Sequence, residues 1–116
     1  MGDRGNGRSK EVVVRDGNVY IAGQIAEDDS TTMAAQTRAV LDQIDARLAL
    51  VGSDKSMLAS ATIYLADADG FQEMDAVWSE WVPDEALVVR VTVESRLAAA
   101  GSLVEIGVTA LVGRAG

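Results

Sequence analysis

Arg90 and Glu105 are the charged side chains whose setting most suits chemistry, each lying in an otherwise apolar run: VVRVTVES (88–95) and SLVEIGVTAL (102–111). Strand side chains alternate between faces, so Arg90, Thr92 and Glu94 share one face while Val89, Val91 and Val93 take the other. By the same alternation Glu105, Gly107 and Thr109 oppose Val104, Ile106 and Val108. A guanidinium is always charged, and its planar fork suits two-point capture of a carboxylate. A carboxylate beside it could hold a water or move a proton. A structural ion pair on a sheet face would use the same two residues, and spacing alone does not separate the two roles.

The rest of the composition narrows that chemistry. The chain has no Cys, which removes thiol nucleophiles, disulfides and thiolate metal sites. It has no His, which removes the usual triad base and the commonest transition-metal ligand. No glycine-rich phosphate loop and no G-x-S-x-G elbow occur. Carboxylate metal binding stays open but has little support, since the acidic pairs Asp28–Asp29 and Asp67–Asp69 lack an EF-hand frame, and no metal site is assigned. A formal charge of −8 argues against nucleic acid as a partner. An anion site in so acidic a chain must be local, built around a residue such as Arg90.

With 116 residues, 48% of them hydrophobic, one domain can bury its own core. No stretch approaches the roughly 20 apolar residues of a membrane span. The first ten residues, MGDRGNGRSK, lack the apolar run of a secretory signal and read as a flexible leader. The domain is expected at 11–113 and a short tail at 114–116. A cytoplasmic setting is compatible with the lack of Cys.

The elements that must carry Arg90 and Glu105 are legible in order. EVVVR (11–15) and VYIAGQI (19–25) read as a hairpin closed by Asp16-Gly17 or Gly17-Asn18. Gly23 within the second strand marks a bulge or a close approach of something to the backbone. AEDDSTT then caps a helix from about Thr32 to Val51 whose stripe is Met33, Thr37, Val40, Leu41, Ile44, Leu48 and Val51, stopped by Gly52. Met57 to Leu65 reads as the third strand, with Ala59, Ala61, Ile63 and Leu65 on one side. Asp69 and Gln72 suggest a capping box opening a second helix to about Val82. Its stripe, Phe71, Met74, Val77, Trp78 and Trp81, is assigned to the core, and Pro83 ends it. Strands follow at about 87–95 and 103–112. The order β-β-α-β-α-β-β predicts a mixed sheet with both helices on one face, covering the Val-rich side of the last two strands. The uncovered face is too apolar for bulk water and implies a closed homo-oligomer.

At this level the chain resembles the RidA/YjgF family of small imine and enamine deaminases. The resemblance runs from about Val12 to Val112 and rests on VYIAGQI, AAQTRAVLDQIDARLALVGS, SATIYLADADGFQEMDAVWSEWV, VRVTVESRL and LVEIGVTA, with the Arg90-to-Glu105 interval matching without a gap. It implies a chorismate-mutase-like α+β fold and a homotrimer whose sheets enclose a central barrel, with ligand clefts between subunits. Carried over, Arg90 would grip the carboxylate of a 2-imino acid, and Glu105 would position or activate the attacking water. Backbone groups near Gly23 and Thr92 would line the cleft. The implied reaction is hydrolysis to a 2-keto acid and ammonia, in the cytoplasm and without a cofactor. A non-catalytic module that holds a carboxylate metabolite would use the same Arg90.

The chain departs from the family pattern at named places. Val88-Val89 stand where Pro and a small residue usually precede the Arg; Thr92 stands where a Cys is common; Asp75 replaces a frequent Asn; Ala22 replaces a Ser. Asp84 to Leu87 replaces a stretch that tends to carry Gly and His. Apolar residues also fall where charge would be ordinary: Leu50 beside Ala49, Met57, and Leu87 with Val88. They raise a further expectation, a redesigned member whose surface was made apolar to drive higher assembly, alone or with a second protein; the alternative is a natural, divergent homologue.

Overall fold

Asp16 and Gly17 both take positive φ, 53° and 80°, and so close the tight turn between β1 (Val12–Arg15) and β2 (Asn18–Gln24). The computed structural model describes residues 10–113, so positions 1–9 of the expected leader and the tail at 114–116 lie outside the described residues. Beyond the hairpin come α1 (Met33–Leu50), β3 (Leu58–Leu65), α2 (Phe71–Trp81), β4 (Val89–Glu94) and β5 (Val104–Leu111). The strands form one mixed sheet in the order β1-β2-β5-β3-β4; only the β3–β4 pair is parallel. Both helices lie on one face, which makes a two-layer α+β fold.

Local chemistry explains the ends of α1. The Thr32 hydroxyl accepts a hydrogen bond from the Ala35 amide at 3.1 Å. At the far end Gly52 takes φ +76°, Gly52 N–H donates to Ala49 O, and Ser53 N–H donates to Leu48 O at 3.0 Å. The expected stripe is buried from Met33 to Leu48, against Val19 and Ile21 of β2 and Val104, Ile106 and Val108 of β5. Its last member, Val51, is the half-buried C-cap.

Gln36 fastens the loop ahead of β5. Its side-chain amide donates to the carbonyls of Ser30 and Gly101, and its carbonyl accepts from Leu103 N–H at 2.8 Å.

Several expectations need correction. The Asp69–Gln72 capping box does not form; the Asp67 carboxylate accepts from Asp69 N–H instead and caps a short 3-10 turn, Ala68–Gly70, from which α2 starts. Ala59 is exposed rather than inward, because the β3–β5 register slips between Leu58 and Ser60 and brings Leu58 and Ala61 into the core together. Of the α2 stripe, Met74, Val77 and Trp78 are buried, Trp81 is half-buried and Phe71 is exposed. Val88 is partly buried, packed against the core.

The largest correction concerns β4. Its valines do not face the helices: Val89, Val91 and Val93 are 68%, 51% and 40% exposed. The reason is register. Parallel pairing sets Ala61 beside Arg90 and Ile63 beside Thr92, and Ala61 and Ile63 point into the core. Arg90 and Thr92 therefore stand on the helix side, and the valines go to the open face.

Candidate functional site

Across the sheet, the ladder sorts the expected site residues into two groups. On the helix side, Ile21, Val108, Ala61 and Arg90 form one row, and Ile106, Ile63 and Thr92 the next. On the open side the rows are Tyr20–Thr109–Ser60–Val89, Gly107–Thr62–Val91 and Glu105–Tyr64–Val93. Arg90 and Glu105 are thus on opposite faces, with β3 between their strands. Within one chain they do not meet as neighbours.

Arg90 is held from three sides by α2. Its Nη1 donates to Asp75 Oδ1 at 2.6 Å. The guanidinium carbon lies 5.5 Å from the Phe71 ring centroid and 5.7 Å from that of Trp78, within the range of a cation–π contact. Residues 71, 75 and 78 follow helical spacing, so one face of α2 supplies ring, carboxylate and ring. Trp78 in turn packs on Trp81 at 5.5 Å, and the Trp81 indole N–H donates to Asp45 at 3.0 Å. Beside Arg90 the Thr92 hydroxyl oxygen is buried with no hydrogen-bond partner, an unsatisfied group next to a charged one.

The second group surrounds Glu105. Register in β2 shifts between Ile21 and Gln24, so Gly23 does mark a bulge. It also permits a close approach, since a Cβ at Gly23 would collide with the Glu105 carboxylate. Gly107 has more room: a Cβ there would stand in ordinary contact, 3.4 Å from Gly23 N and from Ile21 O. Around them lies a concavity of about 290 Å³ lined by Tyr20, Gly23, Thr62, Tyr64, Glu105 and Gly107, among others. Its floor holds a hydroxyl pair, Ser60 and Thr109, at 2.6 Å. Gly23 and Glu105 are together on this face, as Arg90 and Thr92 are on the other.

Hydrogen bonds from the Ser30 hydroxyl and amide hold the Asp28 carboxyl below its ordinary range, and Ser56 does the same for Asp54. Among the described residues, no cluster of three or more His, Cys, Asp or Glu is arranged to hold a metal, and no helix is long and apolar enough to cross a membrane.

Sequence reading missed Asp75, Phe71 and Trp78 as the neighbours of Arg90. Phe71 and Trp78 were absorbed into an apolar stripe, and Asp75 stood out only as a departure from a family pattern. The available signal was an acid between two aromatics at helical spacing, ahead of a strand carrying a lone Arg.

Comparison with known proteins agrees with this architecture. A family model described as Endoribonuclease L-PSP matches residues 6–112. A RutC family protein of Haemophilus ducreyi is 40% identical over 105 residues, covering 90% of each chain. The RutC family protein YoaB of Escherichia coli K12 is 37% identical over 105 residues, 90% of this chain and 91% of its own. A solved member of the YjgF protein family from Neisseria meningitidis superposes with a TM-score of 0.91 at 40% identity, covering 96% of this chain and 92% of that one. With its fold, its element order and nearly its whole length matched, the chain belongs to the RidA/YjgF family, the group that the Endoribonuclease L-PSP model describes.

Proposed function

We propose that this protein is a homotrimeric imine/enamine deaminase of the RidA type, which hydrolyses reactive 2-imino acids to 2-keto acids and ammonia. The observation that carries the reading is the division of the site: an oriented guanidinium on the edge strand β4, and a carboxylate seated over glycine backbone on the opposite face. Each half lacks what the other has, so a complete site joins Arg90 and Thr92 of one copy to Gly23 and Glu105 of another. The row of exposed valines on β4 supports burial of that edge against a second copy.

The chemistry asks little beyond orientation. Arg90 takes the substrate carboxylate and fixes the imine carbon in place. Glu105 accepts a hydrogen bond from a water that adds to that carbon. The resulting carbinolamine transfers a proton to nitrogen, the C–N bond breaks, and ammonia leaves with the keto acid formed. No step calls for a thiol, an imidazole or a cofactor.

Ammonia release from 2-iminobutanoate generated in situ tests the reading. The wild-type chain should exceed buffer, and Arg90→Ala and Glu105→Ala should each lose on the order of 10²-fold. Mixing the two inactive variants after subunit exchange should recover part of the rate, because a mixed seam rebuilds a complete site. No recovery, with both variants folded, would place the two groups outside a shared site.

A second reading has its own support. Leu50 and Leu87 are 78% and 90% exposed, and half-buried Met57 lies at the same end of the sheet, where β3 and β4 begin and β5 ends. These residues, without Val88, support association of trimers into larger particles, alone or with another protein. Light scattering should then show species larger than a trimer that Leu50→Glu abolishes.

A further inference from the structure

Arg90 does not wait for its ligand unaccompanied. Its Nη1 is already bound to Asp75 Oδ1, and the two aromatic rings hold the guanidinium in that pose. Both members remain reachable, with side chains 23% exposed for Arg90 and 39% for Asp75. Among the described residues no donor engages Asp75 Oδ2, so the pair still offers an acceptor as well as the remaining Arg90 donors.

A lone guanidinium attracts any carboxylate. A guanidinium paired with a carboxylate is formally neutral, and an incoming simple anion meets repulsion from the acid as well as attraction from the base. A ligand carrying a carboxylate and a protonated nitrogen avoids that conflict. Its carboxylate faces Arg90 while its N–H faces Asp75, and its net charge is zero.

We infer that Asp75 is a specificity residue, which makes the Arg90 site select zwitterionic, nitrogen-bearing carboxylates over simple carboxylate anions. The inference rests on the reading of Arg90 as the carboxylate holder. It names the substrate class as the iminium form of a 2-imino acid. It also gives product release a cause: hydrolysis replaces the nitrogen by a carbonyl oxygen and leaves a monoanion that the Asp75 carboxylate disfavours.

Calorimetric titration with two stable probes tests this: 2-aminobutyrate, a zwitterion, and 2-ketobutyrate, a monoanion of nearly the same shape. The wild-type chain should favour the zwitterion. Asp75→Asn should shift the ratio of the two affinities toward the keto acid by about tenfold, the order expected for one charge a few ångströms away at a part-exposed site. Asp75→Ser gives the same readout should the Asn variant fold poorly. Asp29→Asn, which removes one charge from an exposed loop, should leave the ratio unchanged. An unaltered ratio in folded Asp75 variants, or an equal shift in Asp29→Asn, overturns the inference while leaving Arg90 as the holder. Failure of every protein to bind either probe overturns the Arg90 reading and this inference together.

Discussion

At the scale of single residues, the Gly23–Glu105 contact gives a sharp test. The missing side chain at Gly23 is the space that the Glu105 carboxylate occupies. Gly23→Ala must push that carboxylate aside, and its flexible end can move at little cost to the fold. Stability should change by less than about 1 kcal/mol, whereas a catalytic carboxylate displaced by an ångström loses on the order of 10²-fold in rate. Deaminase rates and thermal melts on the same preparation check it. A variant with the full rate would show that Glu105 acts from somewhere other than its observed seat. Arg90 lies at the other extreme, with its orientation over-determined by one carboxylate and two rings, so its geometry should survive loss of any one of them better than its charge balance does.

Among the elements, the loop between β4 and β5 depends on a helix that is distant in sequence. Gln36 of α1, nearly fully buried, makes three hydrogen bonds that tie Ser30, Gly101 and Leu103 together. Truncation leaves three part-buried backbone groups without this partner, each costing about 1–3 kcal/mol to the extent that water cannot reach it. Gln36→Ala should therefore destabilise the chain by about 2 kcal/mol, or about 10 °C in melting temperature for a domain of this size. Chemical denaturation measures it directly; a loss under about 0.5 kcal/mol would mean that water replaces the side chain.

Over the whole molecule, one uncovered sheet face decides the behaviour. Its hydroxyls, tyrosines and three exposed valines alternate with a concavity that holds Glu105. A seam built on that face buries the valine row, so Val91→Asp should leave the folded chain intact and break the oligomer. Light scattering should give a trimer or an assembly of trimers for the wild type and a single copy for the variant, with unchanged far-UV circular dichroism. On the proposed reading, in which a site joins two copies, deaminase activity should vanish with the seam. A wild-type chain that stays monomeric at high concentration would end both the seam and the reaction assigned to it.

The order of elements, the α1 stripe, the hairpin turn and the Gly52 stop were legible in the residues themselves, because periodicity, capping and turn chemistry act over a few neighbouring positions. The alternation in 88–95 likewise separated Arg90 and Thr92 from Val89, Val91 and Val93. It did not say which set meets the core. Composition favoured burying the valines, yet β4 is an edge strand whose face is set by its register against Ala61 and Ile63 of β3. The grip of α2 on Arg90 is nonlocal in the same way, since Asp75 lies 15 residues upstream. A sequence carries two faces for every strand; which of them is inside is decided only when its neighbours pair.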